Sequence, residues 1–115
     1  MKNNILTLLD SYKISHKWQY PEGTEMVYSN WTIRGSRLPV DYYVFFGLQY
    51  FVKEYLIDRW NKEFFNLPKE QALKRFRKTL KNSLNVEDLI HYEKLHDLGY
   101  LPIEVKALPE VVKFH

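Results

Sequence analysis

Two stretches of this chain alternate apolar and polar side chains with period two, and they stand far apart. The first is "MVYSNWTIR", Met26 to Arg34. Val27, Ser29, Trp31 and Ile33 share one face there; Tyr28, Asn30, Thr32 and Arg34 share the other. The second lies in "LPIEVKALPE", where Ile103, Val105 and Ala107 alternate with Glu104 and Lys106 behind Pro102. Alternation rich in β-branched and aromatic residues predicts strands, and Pro102 fits the start of one. Two strands do not make a stable sheet by themselves. The rest of the sheet is therefore expected from a longer polypeptide or from a partner.

Helical periodicity fills the space between. "YYVFFGLQYFVKEYLIDRW", Tyr42 to Trp60, carries Phe45, Leu48, Val52 and Tyr55 at helical spacing. Phe51 and Leu56 widen that stripe and predict a nearly buried helix. Gly47 falls inside the span, where a glycine costs about 1 kcal/mol relative to alanine. Close approach of another backbone, or simple packing, would account for it. Pro68 suits a first helical position, and Leu73, Phe76 and Leu80 make one stripe of the helix behind it. Asn85 can cap a third helix, with Leu89 and Tyr92 inward and Gly99 as its stop. At the front, Ile5, Leu6, Leu8 and Leu9 form an apolar entry, and Asp10 or Ser11 can cap a short helix through Lys17. "YPEGT", Tyr20 to Thr24, is a turn. The predicted class is α+β in one domain: short N-terminal helix, strand, three helices, strand, with an incomplete sheet.

Composition bears on function at three points. Nine Tyr, seven Phe and three Trp in 115 residues are a heavy load for a modest core, so an apolar interface is expected. The chain has no Cys, which excludes disulfides and thiolate metal sites and fits a reducing compartment. No apolar run reaches the roughly 18–20 residues of a membrane span, and "MKNNILTLLD" lacks a signal-peptide pattern. A net charge of +3 admits an anionic ligand without arguing for nucleic acid.

No complete catalytic centre is spelled out by residue spacing. His91 and His96 sit five apart and point to different faces of a helix. Lys69, Lys74, Arg75, Arg77, Lys78 and Lys81 form a basic stretch that reads first as the solvated face of an amphipathic helix. No glycine-rich phosphate loop is present. Arg34 ends a strand pattern just before Gly35, where a guanidinium can present its planar fork to a phosphate or simply face solvent. With Arg37 and Lys13 it could form a small anion site. Tyr12, two residues past Asp10, can pack inward or offer a ring face to an aromatic ligand.

Three segments go further together. "DSYKISHKWQYP", Asp10 to Pro21, fits the pattern D-S-Y-K-x-[ST]-H-x-x-Q-Y-P throughout. "VFFGLQYFVKEYL", Val44 to Leu56, fits F-[YF]-G-L-Q-Y, and "GYLPIEVKALPE", Gly99 to Glu110, fits L-P-[IL]-x-[VI]-[KR]-A-x-P-E. In this order they resemble the N-terminal end of the nicotinamide phosphoribosyltransferases, within the wider nicotinate phosphoribosyltransferase group. The resemblance implies a pentosyltransferase that makes nicotinamide mononucleotide and pyrophosphate from nicotinamide and 5-phosphoribosyl-1-pyrophosphate, in NAD salvage. It further implies a cytoplasmic homodimer, with sites at the subunit interface and no nucleic acid or membrane partner. Tyr12 would stack on the nicotinamide ring of the neighbouring subunit's site, Asp10 would sit beside it, and Arg34 would contact ligand phosphate.

Family enzymes are several times longer than this chain, and their catalytic barrel has no counterpart in it. Residues 1–115 are thus expected to be an N-terminal domain, inactive alone, with no cofactor of its own. Magnesium would accompany 5-phosphoribosyl-1-pyrophosphate in the full enzyme. The choice between nicotinamide and nicotinate is not encoded in these segments. A glycine usually follows the A-x-P-E segment in the family, and Val111 stands there in this chain. The alternative is a non-catalytic interaction module derived from the same enzyme.

Overall fold

The structure, a computed structural model, describes residues 4–8, 10–84 and 87–115. The chain begins with a 3-10 turn, Ile5–Thr7, capped by Asn4, whose Oδ1 accepts the Leu6 N–H at 2.9 Å. A longer 3-10 helix, Ser11–Trp18, follows. Strand β1 (Tyr43–Phe45) leads into helix α1 (Leu48–Phe51). This helix runs on through π-helical turns at Val52–Asp58 and Asn61–Phe65, giving one long helix over 48–65. Helices α2 (Lys69–Leu84) and α3 (Ile90–Leu98) come next, and β2 (Val112–Phe114) closes the order.

The class is α+β, and its sheet is incomplete. β1 and β2 pair antiparallel in the register Tyr43 with Phe114, Val44 with Lys113 and Phe45 with Val112. The strands are not the two expected ones. Met26–Arg34 and Ile103–Ala107 carry no strand ladder. Period-two alternation equips a segment for a sheet, but a ladder needs a neighbour's N–H and C=O groups. Tyr43–Phe45, by contrast, was expected to be helical. Its pairing with β2 across some seventy residues left no local trace.

The core gathers on one side of the helices. Ile5, Leu6, Ile14, Phe64, Ala72, Leu73, Phe76, Leu80 and Leu89 are buried, with Trp60, Phe65 and Tyr92 among the residues packed against them. The Leu73, Phe76 and Leu80 stripe is buried as expected, and Leu89 and Tyr92 face it. Trp60 meets Phe64 edge to face at 5.4 Å, and Phe76 meets Tyr92 likewise at 4.6 Å. These are preferred aromatic geometries.

The long helix departs from expectation. Its first half is only partly buried, and Phe51 is 47% exposed. The core draws on this helix only at its end, at Trp60, Phe64 and Phe65, so nothing in it covers the first half. Gly47 is not inside the helix but at its N-cap, with φ +92°. A Cβ built there meets nothing within 4 Å, so no backbone approaches closely. The glycine serves the left-handed conformation. Gly99 stops α3 in the same way, with φ +85°. Asn85 and Leu9 lie outside the described residues; the free Ile90 N–H at the start of α3 is met by Asp88 Oδ1 at 3.0 Å.

The chain stays open. Its radius of gyration is 17.1 Å, whereas a compact domain of about 100 residues has about 13 Å. Its accessible surface is 9884 Å², whereas a closed monomer of this mass exposes about 6,700 Å². The excess lies over 20–46 and 99–111, where Met26, Tyr28, Trp31 and Phe46 are all at least 80% exposed.

Candidate functional site

The N-terminal arm that carries the sequence-derived site is bolted to the core. Ile5 and Leu6 insert on one side of Tyr12, and Ile14 on the other. Within Ser11–Trp18, Ser15 Oγ donates to the Tyr12 carbonyl at 2.7 Å, and the Lys13 N–H donates to the Asp10 carbonyl at 3.0 Å. Side chains three apart on a 3-10 helix eclipse, so burying Ile14 turns Tyr12 away from the core. The Tyr12 ring is 60% exposed. It touches His16 at 5.9 Å between centroids, tilted by 52°, and lies 5.5 Å from Lys13 Nζ.

Asp10 lies at the N-cap of this helix, yet its side chain makes no capping bond. It lines a shallow open recess with Thr7, Leu8 and Lys13. Asp10 and Tyr12 are each exposed. Arg34 is exposed in the segment without a ladder. Among the described residues no hydrogen bond, ion pair or ring contact joins it to Tyr12 or Asp10. Nor does any such contact unite Lys13, Arg34 and Arg37.

Two carboxylates escaped the sequence reading. Glu63 Oε2 accepts the Ile5 N–H at 2.5 Å, across 58 residues of chain, while Arg59 Nε donates to Glu63 Oε1 at 2.9 Å. Only the i, i+4 spacing of Arg59 and Glu63 was legible beforehand. Glu110 accepts the N–H groups of Gly47 at 2.8 Å and Gln49 at 2.9 Å, at the start of the long helix. Those bonds to the anion, the Gln49 N–H first, hold its carboxyl below the usual carboxylate range. The next residue, Val111, has φ +65° and donates its N–H to the Phe45 carbonyl at 2.7 Å. Val111 stands where the family resemblance calls for glycine, and its left-handed backbone is the physical reason a glycine suits the place.

The basic stretch on α2 is tied into surface ion pairs. Lys69 pairs with Asp97, Arg77 with Glu70 at 3.3 Å, and Lys81 with Glu87 at 2.9 Å. The Arg75 side chain lies outside the described residues. His96 bonds the Leu67 carbonyl through Nε2 at 2.8 Å and sets its ring edge to face with Phe64. It thereby joins α3 to the end of the long helix.

Comparison with known proteins bears on the whole chain. Residues 4–105 match the family "Nicotinamide phosphoribosyltransferase, N-terminal domain". A nicotinamide phosphoribosyltransferase of Acinetobacter baylyi (strain ATCC 33305 / BD413 / ADP1) is 47% identical over 115 residues, covering 93% of this chain. The chain spans only 23% of that relative's length. No solved structure matches the chain. With the family match running through nearly all of the sequence, and with the described arm, helix cap and C-terminal segment carrying the three motifs, the chain belongs to the nicotinamide phosphoribosyltransferase family, in its N-terminal domain.

Proposed function

We propose that this chain supplies the N-terminal domain of an enzyme joining nicotinamide to 5-phosphoribosyl-1-pyrophosphate. The pyridine nitrogen would bond to C1 of the ribose as the C1–O bond to pyrophosphate breaks. The products are nicotinamide mononucleotide and pyrophosphate. In this reading Tyr12 stacks on the pyridine, Asp10 sits beside it, and Arg34 binds phosphate, all delivered across a homodimer interface in the cytoplasm. The 115 residues alone lack turnover, because the reacting groups of both substrates need the barrel for their remaining contacts. No step is assigned to a metal in this domain; magnesium would accompany 5-phosphoribosyl-1-pyrophosphate in the full enzyme.

One observation carries the reading: the Tyr12 ring is presented outward, 60% exposed, on an arm whose flanking Ile5 and Ile14 are buried. A ring held this way loses little entropy on stacking, and positioning a base against its electrophile lowers the barrier.

The test uses a chimera in which this chain replaces the corresponding region of the Acinetobacter baylyi enzyme. Stacking worth about 0.5–1.5 kcal/mol makes Tyr12→Ala raise KM for nicotinamide roughly two- to twelvefold. Arg34→Ala should raise KM for 5-phosphoribosyl-1-pyrophosphate instead. If both variants leave the steady-state constants unchanged, the assignment fails. Turnover by the unfused 115-residue chain would overturn its inactivity.

A further inference from the structure

We propose that Glu63 is a positioning residue for Tyr12, acting through the Ile5 N–H; the proposal rests on Tyr12 being the stacking residue. Glu63 lies on the last turns of the long helix, in the segment Asn61–Phe65, one residue before the fully buried Phe64. Its carboxylate is gripped on the helix side by Arg59, through Nε to Oε1 at 2.9 Å and through the second nitrogen to Oε2 at 3.2 Å. A two-pronged guanidinium contact fixes the plane of a carboxylate as well as its charge. The fixed Oε2 then accepts the Ile5 N–H. Both side chains are mostly shielded, 21% exposed for Arg59 and 23% for Glu63.

This contact sits where it governs the arm. The 3-10 turn Ile5–Thr7 is three residues long and has little hold of its own. Ile5 and Leu6 fix its depth by burial, but burial is not directional. The Glu63 bond supplies direction, because it specifies where the Ile5 backbone points. Seven residues later comes Tyr12, with Ile14 as the next buried anchor. The far end is held by Lys17 against Asp88 at 3.3 Å, a contact with an Asp88 side chain 55% exposed and of little energetic weight. Direction at the front of the arm therefore comes from Glu63. A misaimed arm leaves the chemistry of the pyridine untouched and removes the stacking face.

The test is run in the same chimera, with kinetics and amide hydrogen exchange together. Glu63→Ala should raise KM for nicotinamide at least roughly twofold and by no more than Tyr12→Ala does, with kcat nearly unchanged. Glu63→Gln keeps an oxygen acceptor for the Ile5 N–H and should restore KM to within about twofold. The double variant Tyr12→Ala with Glu63→Ala should cost no more than Tyr12→Ala alone, since Glu63 acts through Tyr12. Exchange should quicken over 5–19 in Glu63→Ala while amides over 73–80 stay protected. Glu63→Gln covers the case in which the alanine variant loses the fold. If Tyr12→Ala raises KM but Glu63→Ala does not, or the two effects multiply in the double variant, the positioning role is overturned and the stacking assignment stands. If Tyr12→Ala is silent, the stacking assignment falls, and this proposal with it.

Discussion

The helical side of the molecule and its extended side are made from similar amounts of apolar residue, put to different ends. Around Phe64, Leu73, Phe76 and Leu80, side chains reach 0–2% exposure within one domain. Over 20–46 and 99–111 the chain holds Trp31 at 80%, Tyr28 at 81% and Ile103 at 57% exposure. The helical side satisfies its backbone internally, so it can close its core alone. The extended side has strand patterning and no ladder over Met26–Arg34 or Ile103–Ala107. Pattern prepares a surface, and only pairing consumes it. A monomer rarely leaves apolar patches of this extent uncovered.

Substitution of a core residue should separate the two sides most sharply. Phe64→Ala should destabilise by about 3–5 kcal/mol, as for a large buried ring, and chemical denaturation reads the loss. Trp31→Ala should change stability by no more than about 0.5 kcal/mol, and should instead lower self-association in sedimentation. Comparable losses at both positions would erase the contrast.

Smaller and of opposite sign are two backbone changes at the join between the sides. Gly47→Ala forces a Cβ into φ +92° and should cost about 1–2 kcal/mol. Val111→Gly relieves a β-branched residue at φ +65° and should stabilise by about 1 kcal/mol. Thermal unfolding of the two variants checks both signs. Gly35→Ala serves as control, since its φ is not left-handed and the space is open.

The smallest effect is local and depends on pH. Glu110 has a depressed folded pKa, so its contribution is complete above the ordinary glutamate value of about 4.3. It fades as pH falls from there through the lower folded value. Acid should therefore quicken hydrogen exchange at Gly47 and Gln49 before it affects α2, and Glu110→Gln should remove most of that pH dependence.

Legibility in the sequence followed the range of the interactions. The α2 stripe and the Gly99 stop were readable because both are set by neighbours within a turn or two. The α+β class and its unfinished sheet agree with expectation, but the two alternating segments that suggested them are not the strands that pair. β1 was missed because Tyr43–Phe45 looks helical beside Leu48 and Val52, and its partner lies at Val112–Phe114. Gly47 was placed in a helix interior because the boundary depends on Glu110, some sixty residues on. Asp10 and Tyr12 are near each other in sequence and each exposed. Arg34 could not be related to them by any local rule, and Glu63 offered only its spacing from Arg59.

The clasp at Glu110 also has a kinetic meaning. It ties residues 41–49 to 110–115, through bonds separated by 61 to 74 positions along the chain. The helix-to-helix contacts of α2 and α3 span far shorter loops. Closing a long loop costs entropy before its contacts reward it. The helical core can therefore assemble first, and the β1–β2 ribbon is the last part to form. Until then the start of the long helix lacks the Glu110 carboxylate and is free to fray, so the motif segment from Phe45 to Tyr50 acquires its final shape only when residues 110–114 have joined it.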